Sequence, residues 1–560
     1  MTQPSSTVAT ELVVLSAADV ASLVAEAARL VTFIDRIPDV SLLDVAYTCS
    51  LTKGPSVLAI VATGVQDLRS RLASAMARLR SGEIARLKDK SGTYYFRDHL
   101  LGDGGGRLAF VYPGAMSFYP HMMRDLVVLH PECRRPFDEL EEALADERSF
   151  TPSNFIFPPA PYYRHDADIF SSGAYSQAFI AAYAGCAAMS RLVDAAHIRP
   201  DGLVGCGGGD LAAVVKSGAT GVESRRAERI KAIRDIYRVV SKAVDHEGLP
   251  KTVMVTALPR RESDLEGVFD SFPKGAVYLA ADFSPKMKTY AIEPEFEEAA
   301  AKALSEAGVR TLRLDLDRPF NTPRCASIVP AIKKFASSWM KSKPVYEVYS
   351  CGIAGKVPEK PRHARTETAE RWAETVRFAD TVRKMHDDGY RVFLEVGPRG
   401  LMTSAVEESL EGRPFAAIAM NSIHRRSVLQ VQHAFAQLAA LGAEMDVSGF
   451  FSARGAKKLD FDATLSMEFR SVSEKRLSRV FPRLTLLGAP AATTYAGETD
   501  ELTADPTAWS CVTSARAGDG AGTLALPAAT EGFPSRFFKV FSADSEVPAG
   551  TLLSALLDDD

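Results

Sequence analysis

The alternation of apolar and polar positions predicts strands that alternate with helices from the start of the chain. An apolar run at 12–15 is strand-like, and the Ala- and Leu-rich stretch 17–35 has helical spacing, with Ser16 placed as its N-cap. A second strand-like run at 57–62 precedes a helical pattern at 65–79. These elements predict a small α/β module with its own sheet, and glycine-rich sequence after position 101 predicts its end.

The same alternation continues through the next 150 residues or so. The predicted elements are a strand at 108–112, helices at 122–130 and 175–195, a strand at 202–204, and helices at 211–216 and 225–244. Strands that alternate with helices favour a parallel sheet covered on both faces. We therefore expect a larger α/β unit after the first module.

The order of elements changes between about 250 and 318. The pattern there predicts strands at 252–257, 276–281, 288–291 and 311–316, with helices at 262–272 and 294–307. This order is typical of a split βαβ unit and indicates an inserted subdomain. The chain then returns with helices at 328–341, 366–387 and 429–441 and strands at 345–350 and 392–396. Beyond 455 the periodicity weakens, which predicts an irregular tail.

Composition narrows the class of protein. The 560 residues are enough for two to four domains, and 66 basic against 70 acidic side chains leave a formal charge of -4 without a basic block. Neither nucleic acid nor an anionic membrane surface is favoured as a partner. Residues 1–10 lack the pattern of a signal peptide, and we expect neither secretion nor a membrane span.

The number and spacing of the cysteines indicate whether the protein belongs to a reducing or an oxidising compartment. Seven are scattered along the chain without a CxxC pair. An odd number at such spacing argues against a disulfide framework or a zinc site. We expect a protein of the reducing cytoplasm, with no bound metal.

The most informative segment is 201–210, DGLVGCGGGD, in which a short apolar run passes through glycines into a predicted helix. An elbow of the form G-x-S-x-G presents its central residue at a tight turn, where backbone N–H groups can hold an oxyanion. Here Gly205 and Gly209 are the flanking glycines, and Gly207 takes the position of the nucleophile. Three other interpretations remain open: a phosphate-cradling loop, a plain tight turn, and an elbow whose nucleophile is displaced to Cys206.

Five segments in order resemble the malonyl- and acyl-carrier acyltransferase family, above all the acyltransferase regions of polyketide and polyunsaturated fatty-acid synthases. They are LAFVYPGAMSFYPHMMRDL at 108–126, RPDGLVGCGGGD at 199–210, LAADFSPKMKTYAI at 279–292, PFNTP at 319–323 and LEVGPRGL at 394–401. The similarity covers roughly 11–450. In addition, PDVSLLDVAYT at 38–48 is similar to the linker that joins ketosynthase to acyltransferase, and we expect either a free-standing subunit or an excised segment.

The resemblance implies an α/β fold. We expect an α/β-hydrolase-like large subdomain with an inserted ferredoxin-like small subdomain, preceded by a small α/β linker domain. The expected boundaries are 1–100 for the linker-like domain, 101–249 with 319–450 for the large subdomain, 250–318 for the small subdomain and 451–560 for a C-terminal extension.

The resemblance also implies a chemistry that this chain has lost. In the family an elbow serine accepts the acyl group, a histidine activates it, and a carrier-protein thiol removes the acyl group. Carried over by position, the serine corresponds to Gly207, the preceding histidine to Cys206, the catalytic histidine to Asn321 and the first-loop glutamine to Ala115. Glycine cannot form an acyl-enzyme, and an asparagine amide cannot serve as a general base near neutral pH.

One substrate contact is predicted to survive. RIKAIR at 229–234 resembles the helix whose final arginine pairs with the carboxylate of malonyl units in the family, which makes Arg234 the candidate. Neighbouring arginines offer competing alignments, and an arginine on a solvated helix face is the alternative. For Cys206 the choice lies between a displaced nucleophile and a buried packing residue, and we favour packing.

The sequence thus predicts a non-catalytic acyltransferase homologue that acts as a scaffold, or docks an acyl carrier protein, a ketosynthase or another synthase subunit. The first alternative is an active acyltransferase that uses Cys206 or a bound thiol. The second is a binding module in which Arg234 and the elbow hold a ligand without turnover. No covalent cofactor is expected, although acyl-CoA or the phosphopantetheine of a carrier protein are candidate ligands.

Overall fold

The computed structural model describes residues 9–82, 84–147, 150–158, 175–221, 225–246, 249–314 and 316–462. The predicted irregular tail therefore lies outside the described residues apart from its first few positions, and so does most of the C-terminal extension expected at 451–560. The part of the chain that is described forms three layered units, taken below in chain order.

The first unit is the α/β linker domain expected from the sequence. Its elements are β1 (Glu11–Ala17), α1 (Val20–Arg36), α2 (Leu42–Ser50), β2 (Ser56–Ala62), α3 (Val65–Arg80), β3 (Arg86–Lys88) and β4 (Thr93–Phe96). The antiparallel sheet has the order β1-β2-β4-β3. Ser16, predicted as the helix cap, instead pairs with Val57 inside this sheet. Asp19 caps α1 by accepting a hydrogen bond from the Ser22 N–H at 2.7 Å.

The large subdomain begins with a strand and a series of helices around the elbow. Its elements are β5 (Arg107–Tyr112), α4 (Arg124–Leu129), α5 (Pro131–Ala143), α6 (Pro152–Ile156), α7 (Tyr175–Ala195), β6 (Gly202–Gly205), α8 (Asp210–Lys216) and α9 (Arg226–Val240). The helix predicted to begin at 122 begins at Arg124, because His121 and Met123 have φ angles of 59° and 58°, outside the helical region.

The small subdomain is ferredoxin-like, as expected. It contains β7 (Val253–Leu258), β8 (Val277–Ser284), β9 (Met287–Ile292), α10 (Glu297–Glu306) and β10 (Arg310–Arg313), and its strands lie in the order β10-β7-β9-β8. The helix predicted at 262–272 is wrong. A single 3₁₀ turn at Glu262–Leu265 is followed by irregular chain, in which Gly267 has a φ of 71°. Phe269 and Phe272 still pack on the sheet from this segment.

The chain then returns to the large subdomain. The elements are α11 (Val329–Trp339), β11 (Glu347–Ser350), β12 (Gly355–Lys356), α12 (Pro361–Glu370), β13 (Val376–Arg377), α13 (Phe378–Asp387), β14 (Tyr390–Glu395), α14 (Leu401–Ser409), β15 (Ala416–Ala419), α15 (Ser427–Ala440) and α16 (Ser448–Ser452). The single helix predicted at 366–387 is wrong. It is interrupted by β13, which pairs with β8 of the small subdomain.

The central sheet positions the elbow. Its order is β12-β11-β6-β5-β14-β15, and all pairs are parallel except β11 with β12. Helices cover this parallel sheet, which agrees with the α/β-hydrolase-like expectation. Because β6 lies inside the sheet, its carboxyl end delivers 206–210 to the edge where open α/β sheets bind ligands. Within the described residues, α7 is long and apolar enough to cross a membrane, but 67% of its most apolar window is buried inside the protein.

Candidate functional site

The elbow has the backbone of a nucleophile turn. Strand β6 ends at Gly205, Cys206 is extended, and Gly207 turns the chain with a φ of 54° before α8 begins at Asp210. A methyl group built on Gly207 would have no heavy atom within 4 Å. The tip therefore has room for a side chain, and its backbone is in the left-handed region that glycine adopts at least cost.

The flanking glycines are required by close packing. A methyl group on Gly205 would lie 2.3 Å from the Asp210 backbone nitrogen, and one on Gly209 would lie 2.1 Å from the Tyr112 carbonyl oxygen. On the facing loop, a methyl group on Gly114 would lie 2.6 Å from the Cys206 carbonyl oxygen. The elbow and the loop after β5 thus approach each other as closely as their backbones allow.

This approach brings two backbone N–H groups together. Ala115 and Gly208 each lie in the first turn of a 3₁₀ helix, where an N–H has no partner within the helix. A methyl group built on Gly208 would lie 3.6 Å from the Ala115 nitrogen. Among the hydrogen bonds of the described residues, none is donated by either group. Two free N–H groups this close together can form an oxyanion hole.

Asn321, predicted to replace the base, lies on the same side of the molecule. It has a φ of 57°, which asparagine tolerates, and its Nδ2 donates to the Arg371 carbonyl oxygen at 3.2 Å. The ring of the preceding Phe320 stacks on Tyr175 with centroids 4.1 Å apart. Tyr175 in turn stacks on Phe179, whose ring packs against Gly208. The structure thereby brings the Asn321 loop to the elbow.

Cys206 belongs to the core and not to the site. Its side chain is 4% exposed and packs with Val111, Cys351 and Phe378. Burial raises the pKa of the Cys206 thiol well above its ordinary value. A protonated, buried thiol is a poor nucleophile, so this environment favours the packing interpretation of Cys206.

Arg234, predicted to hold a substrate carboxylate, points to another helix. Its Nε donates to the Ala143 carbonyl oxygen at the end of α5, at 2.8 Å. It does not line the cavity at the elbow. The neighbouring Arg229 is engaged with Glu139 at 2.5 Å. The structure therefore does not place Arg234 at the elbow cavity, because α9 presents its arginines to α5.

A different arginine lies at the elbow. A cavity of about 30 Å³ extends below the tip and is lined by Phe179, Gly207, Gly208, Asp210, Leu211, Val214, Ile236, Ile332, Phe335, Ala336, Trp339, Met340, Thr368, Arg371 and Trp372. Arg371 is 7% exposed, and its Nε lies 3.2 Å from Asp210 Oδ2. Its Nη1 lies 3.9 Å from Glu367 Oε2. Arg371 was not a candidate from the sequence, because it lies within the helix predicted at 366–387.

The acid beside Arg371 is strongly affected by burial. The pKa of Asp210 is raised to about 7, mainly by loss of solvent; Arg371 opposes this rise in part, and the nearby Glu367 adds to it. A carboxyl group with this pKa exchanges its proton near neutral pH. Within the described ranges, no cluster of three or more His, Cys, Asp or Glu side chains could hold a metal ion.

Comparison with known proteins identifies relatives of the chain. No family model matches it. Polyketide synthase GfsA of Streptomyces halstedii is 24% identical over 458 residues, which are 80% of this chain and 6% of that protein. The 5-methyl-1-naphthoate synthase of Streptomyces sahachiroi is 25% identical over 409 residues, 72% of this chain and 21% of that protein. The chain thus spans about a fifth or less of the length of these relatives.

Solved structures give the fold. The acyltransferase domain of ZmaA has a TM-score of 0.63 and 16% identity, and the match covers 81% of this chain and 99% of that domain. The acyltransferase domain from module 8 of the salinomycin polyketide synthase has a TM-score of 0.62 and 18% identity, over 80% and 99%. At these identities the likeness concerns the fold alone.

Proposed function

We propose that this chain, a homologue of polyketide synthases with the fold of their acyltransferase domains, is catalytically inactive and serves a synthase as a binding subunit. The observation that supports inactivity is Gly207, at the tip of an otherwise complete elbow. Without a side chain there, no acyl-enzyme can form at that position. Loss of such a nucleophile costs on the order of 10⁶-fold in kcat in serine enzymes.

The position of the base supports the same proposal. The Asn321 amide has no proton affinity near neutral pH, and its Nδ2 is engaged with the Arg371 carbonyl oxygen. The alternative that relies on Cys206 is disfavoured by the burial of that thiol. Two separate losses, of nucleophile and of base, leave a scaffold whose close-packed glycines are intact.

The partner that we propose is an acyl carrier protein or another subunit of a polyketide or fatty-acid synthase. The relatives are large synthases, and this chain matches only a small part of each. Docking would use the surface that the large and small subdomains share. We place the protein in the cytoplasm, in accord with the six free cysteines of the described residues.

The first test is intact-mass spectrometry of the full chain after incubation with malonyl-CoA and acetyl-CoA, with and without phosphopantetheinylated carrier protein. We expect unchanged masses of both proteins. A matched control is the double variant Gly207→Ser/Asn321→His, which restores nucleophile and base and is expected to form an acyl adduct. An adduct on the wild-type chain would refute the proposal.

Docking is tested separately by titrating the same carrier protein against the immobilised chain. Saturable binding supports a docking subunit. Absence of affinity for the carrier protein and for the synthase subunits would leave the docking role without basis, whatever the mass measurement shows.

A second candidate function is ligand binding without turnover. The observation that favours it is the adjacent N–H pair of Ala115 and Gly208, which can receive a carbonyl oxygen. Thermal stabilisation of the chain by acetyl-CoA, beyond that given by coenzyme A alone, would support this function.

A further inference from the structure

Polar groups without protein partners converge below the elbow. Asp210, Thr368 and Trp339 line the same cavity, and each has a buried polar atom with no hydrogen bond: Asp210 Oδ1, Thr368 Oγ1 and Trp339 Nε1. Buried polar groups in proteins are almost always hydrogen-bonded, and exceptions concentrate where a ligand or ordered solvent completes the set. These residues therefore form a site that the protein alone does not satisfy.

Arg371 adds unused donors to this site. A guanidinium group carries five N–H donors, and this one is 7% exposed. Its nearest acidic atom is Asp210 Oδ2 at 3.2 Å, and its distance to Glu367 is 3.9 Å, which is beyond a hydrogen bond. Among the hydrogen bonds of the described residues, the Arg371 guanidinium donates none. The cavity thus offers both donors and acceptors.

The size of the cavity limits the ligand. Its volume is about 30 Å³, whereas one water-sized group needs roughly 10–15 Å³ on this scale. It can hold a group of two or three non-hydrogen atoms, such as an acetyl or carboxamide group, between apolar walls that include Phe179 and Phe335. Gly207 lines the same cavity, and its lack of a side chain leaves the approach from the tip open.

The charges limit the ligand further. Arg371 is the one cationic side chain that lines the cavity among the described residues, and the carboxyl groups of Asp210 and Glu367 flank it. A malonyl carboxylate bound here would add a further negative charge to a buried site that already holds two acidic groups. Arg234, which could have compensated that charge, is engaged at Ala143. An uncharged group avoids this cost.

We propose that the cavity below the elbow binds a short, uncharged acyl or amide group through the donors of Arg371 and Thr368, and that the acidic Asp210 beside them excludes acyl groups that carry a carboxylate. The inference rests on the proposed function, because it requires that the bound acyl group forms no covalent bond with the chain at Gly207. It makes Asp210 a specificity-determining residue and Arg371 the donor that orients the group.

The test is isothermal titration of the full chain with acetyl-CoA, malonyl-CoA and free coenzyme A. We expect acetyl-CoA to bind at least about tenfold more tightly than either of the others. Thr368→Val, which removes a hydroxyl at nearly constant shape, is expected to reduce that preference by about tenfold. Asp210→Asn is expected to improve binding of malonyl-CoA relative to acetyl-CoA, because it removes one acidic group from the cavity.

The matched control is Asp235→Asn, an exposed acid on α9 that pairs with Lys231 and does not line the cavity. It should leave the preference unchanged, and circular dichroism of each variant verifies its fold. Equal affinities for acetyl- and malonyl-CoA, a preference for malonyl-CoA, or no binding of either would overturn the inference. A covalent adduct in the mass measurement would instead overturn the proposed function, so the two failures are distinguishable.

Discussion

Gly207 differs from the glycines around it in what a side chain would meet there. A methyl group at the tip enters open space, whereas one on Gly205 would lie 2.3 Å from the Asp210 nitrogen. Packing therefore requires glycine at Gly205, and at the tip only the φ of 54° favours it. The chain has kept the glycines that shape the elbow, and it has a further glycine where a nucleophile would fit.

The two glycines provide a direct comparison of stability. Gly207→Ala should lower the free energy of unfolding by about 1–2 kcal/mol, the cost of a left-handed backbone at one residue. Gly205→Ala should lower it by about 3 kcal/mol or more, because backbone atoms have to move. Urea denaturation of both variants measures the difference. Equal losses would mean that the tip is as tightly packed as its flank.

Asp210 gives the protein a pH dependence of known sign. Its pKa is raised from 3.8 to about 7 by burial, so between about pH 4 and 7 the folded chain holds a proton that the unfolded chain releases. Its contribution therefore makes stability fall as the pH rises through this window. Glu395, whose pKa burial also raises to about 7, contributes in the same direction.

The folded chain binds more protons than the unfolded chain in this pH window, and Asp210→Asn should reduce that excess by about one proton. The excess due to Glu395 should remain. Urea midpoints measured at several pH values between about 4 and 8 would show a shallower slope for the variant. A slope identical to that of the wild type would mean that Asp210 is ionised throughout, as a fully compensated partner of Arg371.

At the scale of elements, the pattern of the sequence failed where the tertiary structure overrode it. The stretch 366–387 has helical spacing throughout, yet Val376 pairs with Ala281 in the small-subdomain sheet. This long-range pairing is invisible to local periodicity, and it places the turn that carries Arg371 beside the elbow. The cation of the site could not be predicted for the same reason.

One buried ion pair joins α9 to α5. Arg229 and Glu139 are both largely buried and lie 2.5 Å apart, whereas Lys231 and Asp235 on the same helix are exposed. Arg229→Ala should lower the free energy of unfolding by about 3–5 kcal/mol, because it leaves the Glu139 carboxylate buried without its partner. Lys231→Ala should change it by less than about 0.5 kcal/mol. Denaturant titrations of the two variants test this contrast, and similar small effects would show that solvent reaches Glu139.

For the whole molecule, the sequence predicted more than it did for the site. The ordered motifs identified the acyltransferase resemblance, which the polyketide-synthase relatives and the solved acyltransferase domains confirm, together with the three-part α/β fold. Motifs succeed here because strand ends and tight turns are fixed by local glycine and proline chemistry. The sequence could not show that Arg234 faces α5, because the direction of a helix face depends on its neighbours.

The linker domain is joined to the large subdomain by buried polar contacts. Helix α15 packs on the linker sheet, where the Tyr94 hydroxyl and His433 Nδ1 lie 2.7 Å apart. Arg454 donates to both carboxylate oxygens of Glu11 at 2.6 Å, and both side chains are buried. Bidentate pairs of this kind fix geometry as well as contributing energy. We therefore expect the linker domain and the large subdomain to unfold as one cooperative unit.

Arg454→Ala should uncouple the unfolding of the linker domain from that of the large subdomain. The Glu11 carboxyl group, whose pKa burial already raises, would lose the cation that compensates it. We expect a loss of about 3 kcal/mol and, in calorimetry, a single transition that separates into two. Arg29→Ala, which removes an exposed arginine of the linker domain, should leave one transition. If the Arg454 variant still melts in one step at the wild-type temperature, the coupling lies in the apolar packing of α15 and not in the ion pair.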